Sequence, residues 1–284
     1  MTILQSNSPT NLEFNPRHPS FNLIDSLKKD WHGESAFRTA WYNALSMLFP
    51  IGEKFFIDSV LHFKKEITDP KLLNEIKNFQ GQEAIHRLQH QQYNELLCEL
   101  RGYDLEAFEE PLRKRMSWVQ KNLSPRRRLA GTAAAEHLTA IMAHRMLTKK
   151  DSFIDADQNI AKLWYWHGIE ETEHKSVAYD VYCAVGGTIH ERRRALLVST
   201  FFLYKDVFRN IYLILKKDGK LWNLKEWMNG FKFMFITPGV IPHMIIPWLK
   251  YFRKSFHPWN MDNRYLIKQW EDGHFDNPSE TMSY

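Results

Sequence analysis

The chain of 284 residues has only two cysteines, twelve glycines and twelve prolines. It also has no uncharged apolar run of about 18 residues, so no conventional transmembrane helix is expected. Two cysteines, Cys98 and Cys183, are too few for a disulfide scaffold and point to a reducing compartment. Both lie in apolar helical runs and read as small buried hydrophobes. The scarcity of glycine and proline, with 44% hydrophobic residues, excludes collagen-like and disordered chains. The first twenty residues lack a basic segment followed by an apolar one, so no secretory signal is expected and a cytoplasmic location follows. The net charge is +5 with the signs mixed along the chain, so no concentrated basic stripe marks a nucleic-acid binder. Present in excess are aromatic residues, at 14%, and histidines, of which there are 13.

Turn signals are sparse and apolar residues recur with helical period, which predicts an all-α protein. A first helix is expected over 36–67 with a kink at Pro50–Gly52. Asp69-Pro70 caps and opens a second, which continues to about Leu100 and stops at Gly102. Residues 102–123 carry a shorter helical pattern, long enough to cross a bundle. Ser124-Pro125 opens a third long helix ending near Lys150. A fourth is expected over 156–185, stopped by Gly186-Gly187. Thr188 with Glu191 forms the capping box of a fifth, which runs to Lys217 and breaks at Asp218-Gly219. Further helical pieces follow, interrupted at Thr237-Pro238-Gly239 and Pro247. The expected domains are a loosely ordered lead over 1–35, a four-helix bundle with one crossover over 36–187, and additional C-terminal helices over 188–284 packed on the bundle.

Carboxylates and histidines fall on those four helices in a repeating order. The first carries Glu53, the second Glu83 and His86, the third Glu136, and the fourth Glu171 and His174. Residues three apart share a helical face, so each Glu-x-x-His can offer an oxygen and a nitrogen to one metal ion. Four carboxylates and two neutral imidazoles carry −4, which two divalent cations cancel. Without cations, four carboxylates in a bundle core would be strongly unfavourable. Glu170 and Glu173 compete with Glu171, but Glu171 alone lies three before His174. His90, four after His86, and His167, four before Glu171, lie on the same stripes. Three roles are open to them: further ligands, proton carriers, or partners that fix a ligand carboxylate. His137, about 100° round the helix from Glu136, is not expected to ligate, and the remaining histidines read as surface or packing residues.

The six-residue pattern resembles the ferritin-like di-iron carboxylate superfamily. The stretches EKFFIDSV, QEAIHRLQHQQYN, AEHLTAI, WHGIEETEHKSVAYDVY and YFRKSFHPWN resemble the bacterial family described as predicted metal-dependent hydrolases. The resemblance covers roughly residues 36–260. It implies a ferritin-like four-helix bundle and a dinuclear metal site whose ligands fall on Glu53, Glu83, His86, Glu136, Glu171 and His174.

Oxygen-rich ligation with two nitrogens suits iron, with manganese or a mixed manganese–iron pair as alternatives. The small residues around Glu136, namely Thr132, Ala133, Thr139, Ala140 and Ala143, either leave room for a substrate or allow close helix packing; the expected substrate pocket is Phe56, Thr132, Ala133, Ala140 and Trp164. Phe55, Phe56, Trp164 and Trp166 are expected to wall it. Three functions are carried forward. The first is a dioxygen-dependent oxidase or oxygenase acting on a hydrophobic or amphipathic small molecule. The second is a hydrolase using a dimetal-activated water, although no G-x-S-x-G or phosphate loop accompanies it. The third is a non-enzymatic metal-binding or iron-handling bundle.

Arg126-Arg127-Arg128 and Arg192-Arg193-Arg194 each open a helix, and the crossover topology brings both to one end. There they suggest docking of an anionic headgroup or an acidic partner. From Ala195 to Phe256 the chain is unusually apolar, which suits a buried add-on, a membrane-touching surface or a substrate channel. Expected partners are therefore an apolar small molecule, with a homodimer and a peripheral membrane contact left open and nucleic acid excluded.

Overall fold

The computed structural model describes residues 5–149, 152–153 and 155–276. Among them the chain is helical with no strand; an isolated bridge joins His32 and Ala156. After the short α1 (Ile24–Leu27), α2 (Ala36–Ser46) and α3 (Phe49–Leu61) form the first segment of the bundle. It is broken a few residues earlier than the expected kink. Pro50 has no N–H to donate to the carbonyl of Ser46, so α2 ends there and Pro50 sits in the first turn of α3. The second segment is α4 (Pro70–Arg101), capped by the Asp69 carboxylate and ended by Gly102 at φ 64°. The crossover is α5 (Leu105–Asn122), long enough at about 1.5 Å per residue to span the bundle. The third segment is α6 (Pro125–Thr148), and Lys150, where it was expected to end, lies outside the described residues.

The fourth segment is also broken. It comprises α7 (Gln158–His174) and α8 (Val177–Ala184), although no proline or glycine separates them. The break places the buried Lys175 ammonium 2.8 Å from the Met261 carbonyl and 3.7 Å from the Trp259 ring centroid. The four segments pack side by side: α3 on α4 and α6, α6 on α7 and α8, and α4 on α7 and α8.

The remaining helices are α9 (Ile189–Lys217), α10 (Leu224–Phe235), α11 (Val240–Lys250) and α12 (Arg264–Glu271). Of these, α9 lies on α2 and α6, α10 on α2, α11 on α6, and α12 on α7. Thr188 accepts from the Glu191 N–H as expected, but the reciprocal half of the capping box is not formed. The Glu191 carboxylate instead pairs with Arg126, at 3.0 Å, which joins the starts of α6 and α9. The second basic triplet is largely committed within the fold. Arg192 is buried and donates to the Arg253 carbonyl, and Arg193 donates to the Phe252 carbonyl.

Residues 5–35 have little regular structure, yet they are not loose. Leu12, Phe14, Leu23, Leu27 and Trp31 are buried against the bundle. Asn78 in α4 donates to the Phe14 carbonyl, so backbone polar groups of the lead are paired with side chains of α4.

Candidate metal centre

All six candidate ligands are buried in the middle of the bundle, and α3, α4, α6 and α7 bring them together. Donor atoms of Glu53, His86 and His167 lie within 4.8 Å of one another, and so do those of Glu83, Glu171 and His174. Glu171 faces both groups. Its Oε1 is 3.2 Å from His167 Nε2 and 3.7 Å from His86 Nδ1, while its Oε2 is 3.7 Å from His174 Nε2. Glu136 joins the second group, with Oε2 3.5 Å from His174 Nε2. His167, open in role from the sequence, is thus among the converging donors.

Many polar atoms here are without a hydrogen-bond partner among the described residues. Both oxygens of Glu53, Glu83 and Glu136, both nitrogens of His86, and Nε2 of His174 have no hydrogen-bond partner among the described residues. Glu83 Oε1 and His174 Nε2 come within 3.1 Å without hydrogen-bond geometry. Orphaned buried carboxylates of this kind are strongly disfavoured unless a cation completes them. Carboxylates and imidazoles are also the donor types that iron and manganese take. The residues present therefore fit a pair of divalent cations.

The electrostatics agree. Burial, and then repulsion from neighbouring carboxylates, holds the Glu53 and Glu136 carboxyls well above the usual carboxylate range. Burial pushes Glu83 up to about 7 against the opposing pull of His174. For Glu171 the upward push of burial is outweighed by the neighbouring His167 and His174 imidazoles, and its carboxyl is held low. Correspondingly, His174 is raised by Glu171 and Glu83 despite burial, whereas burial and neighbouring His167 keep His86 well below its usual value.

Behind the donors stand two chains of hydrogen bonds that set which nitrogen faces inward. In the first, Asn94 Nδ2 donates to the Ser46 carbonyl at 2.9 Å, so its Oδ1 accepts from the Ser46 hydroxyl at 2.6 Å. Ser46 Oγ then accepts from His90 Nδ1, and His90 Nε2 accepts from His167 Nδ1, both at 2.9 Å. His167 is left with its Nε2 lone pair toward the cluster. Both nitrogens of His90 are used, so it is a partner that orients His167 rather than a ligand.

In the second, Arg17 clasps Glu173 with both terminal nitrogens, at 2.8 and 2.5 Å. Gln82 Nε2 donates to the same carboxylate at 2.7 Å, so Gln82 Oε1 accepts from His174 Nδ1 at 2.9 Å. This leaves Nε2 of His174 for the cluster. Arg17 also donates to Glu170 at 3.2 Å, and Glu170 Oε2 stands 3.0 Å from His86 Nε2. Glu170 and Glu173, the competitors of Glu171, thus face outward from the donors and brace them. Thr139 donates to Glu171 Oε2 at 2.6 Å.

The aromatic surroundings include Trp164 and Trp166, as expected, but two phenylalanines other than Phe55 and Phe56. Phe49 stacks on His167 at 4.8 Å, Phe79 meets His174 edge-on at 5.0 Å, and Trp166 meets His86 edge-on at 4.8 Å. Phe55 instead lines a surface groove between α3, α4 and α5. The signal for the true wall was present in the sequence, because Phe49 and Phe79 lie four before Glu53 and Glu83 and so share their stripes.

The cavity beside the donors is built largely from other residues than those expected. A pocket of about 60 Å³, space for several waters, opens beside His167 and Glu171. It is lined mainly by Trp41, Tyr42, Leu45 and Phe49, by Met142 and Met146 of α6, by Trp164, and by Pro238 and Val240. Of the five expected residues Trp164 lines it, while Phe56, Thr132, Ala133 and Ala140 do not. Thr132 is taken up by a 2.6 Å hydrogen bond to Ser59, and Ala133 and Ala140 are buried between packed helices. The pocket draws on α2 and on the link before α11, which no spacing rule connects to the ligands.

No curated protein and no solved structure matches this chain. Residues 15–262 match the family described as predicted metal-dependent hydrolases, a span that includes Arg17, every candidate ligand and the pocket. With the match covering most of its length, the chain belongs to that family of predicted metal-dependent hydrolases.

Proposed function

We propose that the chain is a dinuclear metal enzyme that uses dioxygen to oxidise a small apolar or amphipathic molecule. The observation that carries this reading is the set of buried, orphaned carboxylates gathered round Glu171, which with His167 lines an apolar pocket. Two divalent cations, iron in the first place and manganese or a mixed pair as alternatives, would supply redox chemistry toward dioxygen. Glu53, His86 and His167 would hold one, Glu83, Glu136 and His174 the other, with Glu171 between them. The chain's own contributions are positional. His90 and Gln82, the latter held by the Arg17–Glu173 clasp, fix His167 and His174 in one tautomer each. Thr139 steadies Glu171. Phe49, Trp164 and the α6 methionines keep water from the pocket side, where an apolar substrate packs.

The family's description favours a second reading, hydrolysis by a metal-activated water. One experiment separates the two. The protein is loaded with ferrous iron without oxygen, its metal content measured, and oxygen then admitted. About two irons per chain and oxygen uptake are expected. Binding of two metals with no oxygen uptake, together with anaerobic ester cleavage supported by zinc or manganese, would replace oxidation by hydrolysis. Failure to bind metal would overturn both.

A further inference from the structure

We infer that the outer face of α9, α10 and α11 docks on an anionic lipid surface. Fifteen of the nineteen large hydrophobic residues exposed among the described residues fall between Arg194 and Ser255. Twelve of them lie in helical stripes that point away from the bundle. On α10 the stripe is Leu224, Trp227, Met228, Phe231 and Phe235, at spacings of three, four, seven and eleven. On α9, Leu197, Phe201, Phe208 and Tyr212 repeat at four, eleven and fifteen. Ile245, Ile246 and Leu249 continue the face on α11. The three helices form one layer. Trp41 of α2 meets Tyr204 and Phe208 of α9 and Phe233 of α10, and Trp248 of α11 donates to Thr200 of α9 at 2.9 Å. Their outer stripes therefore face the same way, and the area far exceeds scattered surface hydrophobes.

The charge on this face selects its occupant. In the same span nine charged side chains are exposed, and all are cations, among them Lys205, Lys225, Lys232 and Lys250. The three acids of the span are turned inward: Asp206 pairs with Arg115, Asp218 with Arg101, and Glu226 accepts from Ser35. An apolar stripe flanked by lysines, with no exposed acid, is the pattern of a helix lying in the interface of an acidic bilayer. A second copy of the same face would meet it with like charge. No described helix is long and apolar enough to cross a membrane, so the contact is peripheral. Pro238 and Val240, at the junction of α10 and α11, line the pocket beside His167 and Glu171. Docking would set that junction against the acyl chains. Resting on the oxidase reading above, the substrate class that follows is a bilayer-dissolved amphiphile.

The test is flotation of the full chain with vesicles of phosphatidylcholine alone and of phosphatidylcholine mixed with phosphatidylglycerol. Binding to the mixed vesicles, weakened by salt, is expected. Phe231→Glu should abolish it, and Lys225→Gln with Lys232→Gln should each weaken it roughly fivefold. Bimane attached at Ile236→Cys should be quenched by doxyl-labelled acyl chains. Metal content is measured on the same samples and is expected to be unchanged, so loss of docking and loss of the metal centre are told apart. Absence of flotation with wild-type protein of full metal content would overturn the proposal. So would a dimer in gel filtration that Phe231→Glu dissolves, since that would assign the face to a second copy.

Discussion

The guanidinium of Arg17, from a segment without regular structure, holds the Glu173 carboxylate of α7 through two hydrogen bonds of 2.8 and 2.5 Å. Through Glu173 and Gln82 that contact reaches His174, and a further bond from Arg17 holds Glu170 beside His86. Arg17→Ala leaves two buried carboxylates without their cation, which should cost about 3 kcal/mol in a denaturant melt. It should also lower metal affinity by roughly 10–100-fold. Arg17→Lys should recover only part, because an ammonium cannot form the two-pronged contact. Unchanged metal affinity in Arg17→Ala would show that the brace does not reach the imidazoles.

His90 acts on the other side. His90→Ala should free His167 and weaken one metal site by roughly 10–100-fold while the site built on Glu83 and His174 stays loaded. Metal stoichiometry against free metal concentration resolves the two. Equal loss at both sites would argue for a general packing defect.

Glu136 has no hydrogen-bond partner for either oxygen. Replacing it with leucine, of similar volume, should stabilise the metal-free protein by about 2 kcal/mol in a denaturant melt. The same change should prevent full metal loading. A destabilised metal-free variant would mean that the carboxylate is satisfied by something other than a metal.

Glu83, raised to about 7, and Glu53 and Glu136, also raised, hold protons in the metal-free chain that the unfolded chain would have released above 4.5. A raised carboxyl pKa contributes stability at low pH that is lost as pH rises through the folded value. An unfolded histidine is still half protonated at 6.5, so the depressed His86 and His90 pull the other way there, as does Lys175, lowered to about 7. Between about pH 6 and 7 the chelated Glu83→Gln variant should therefore lose less stability, as pH rises, than the chelated wild-type protein. Metal binding near pH 6.5 should release protons, seen with an indicator dye in weak buffer. No proton release would place the carboxylates as already ionised.

Much of this was legible in the chain itself. The helix starts at Asp69-Pro70, Ser124-Pro125 and Thr188 were readable because capping is a local matter of a few residues. The convergence of Glu53, Glu83, His86, Glu136, Glu171 and His174 was readable because stripes on long helices are periodic. The break at Lys175–Ser176 was not readable, since neither residue is a helix breaker and Lys175 finds its partners at Met261 and Asn263, far along the chain. The brace from Arg17 was hidden for the same reason: an arginine in a proline-rich lead carries no sign of the carboxylates it will meet.

The sequence by itself determined the helices, their caps and the donors that share one face, because each depends on spacings of three and four residues along one element. Tertiary structure alone decided that His167 faces the donors while His90 stands behind it. It also decided that Pro238 and Val240 line the pocket and that Arg17 holds Glu170 and Glu173. Those relations join atoms separated by tens to hundreds of residues. They are set by how whole helices pack, a property that no local period records.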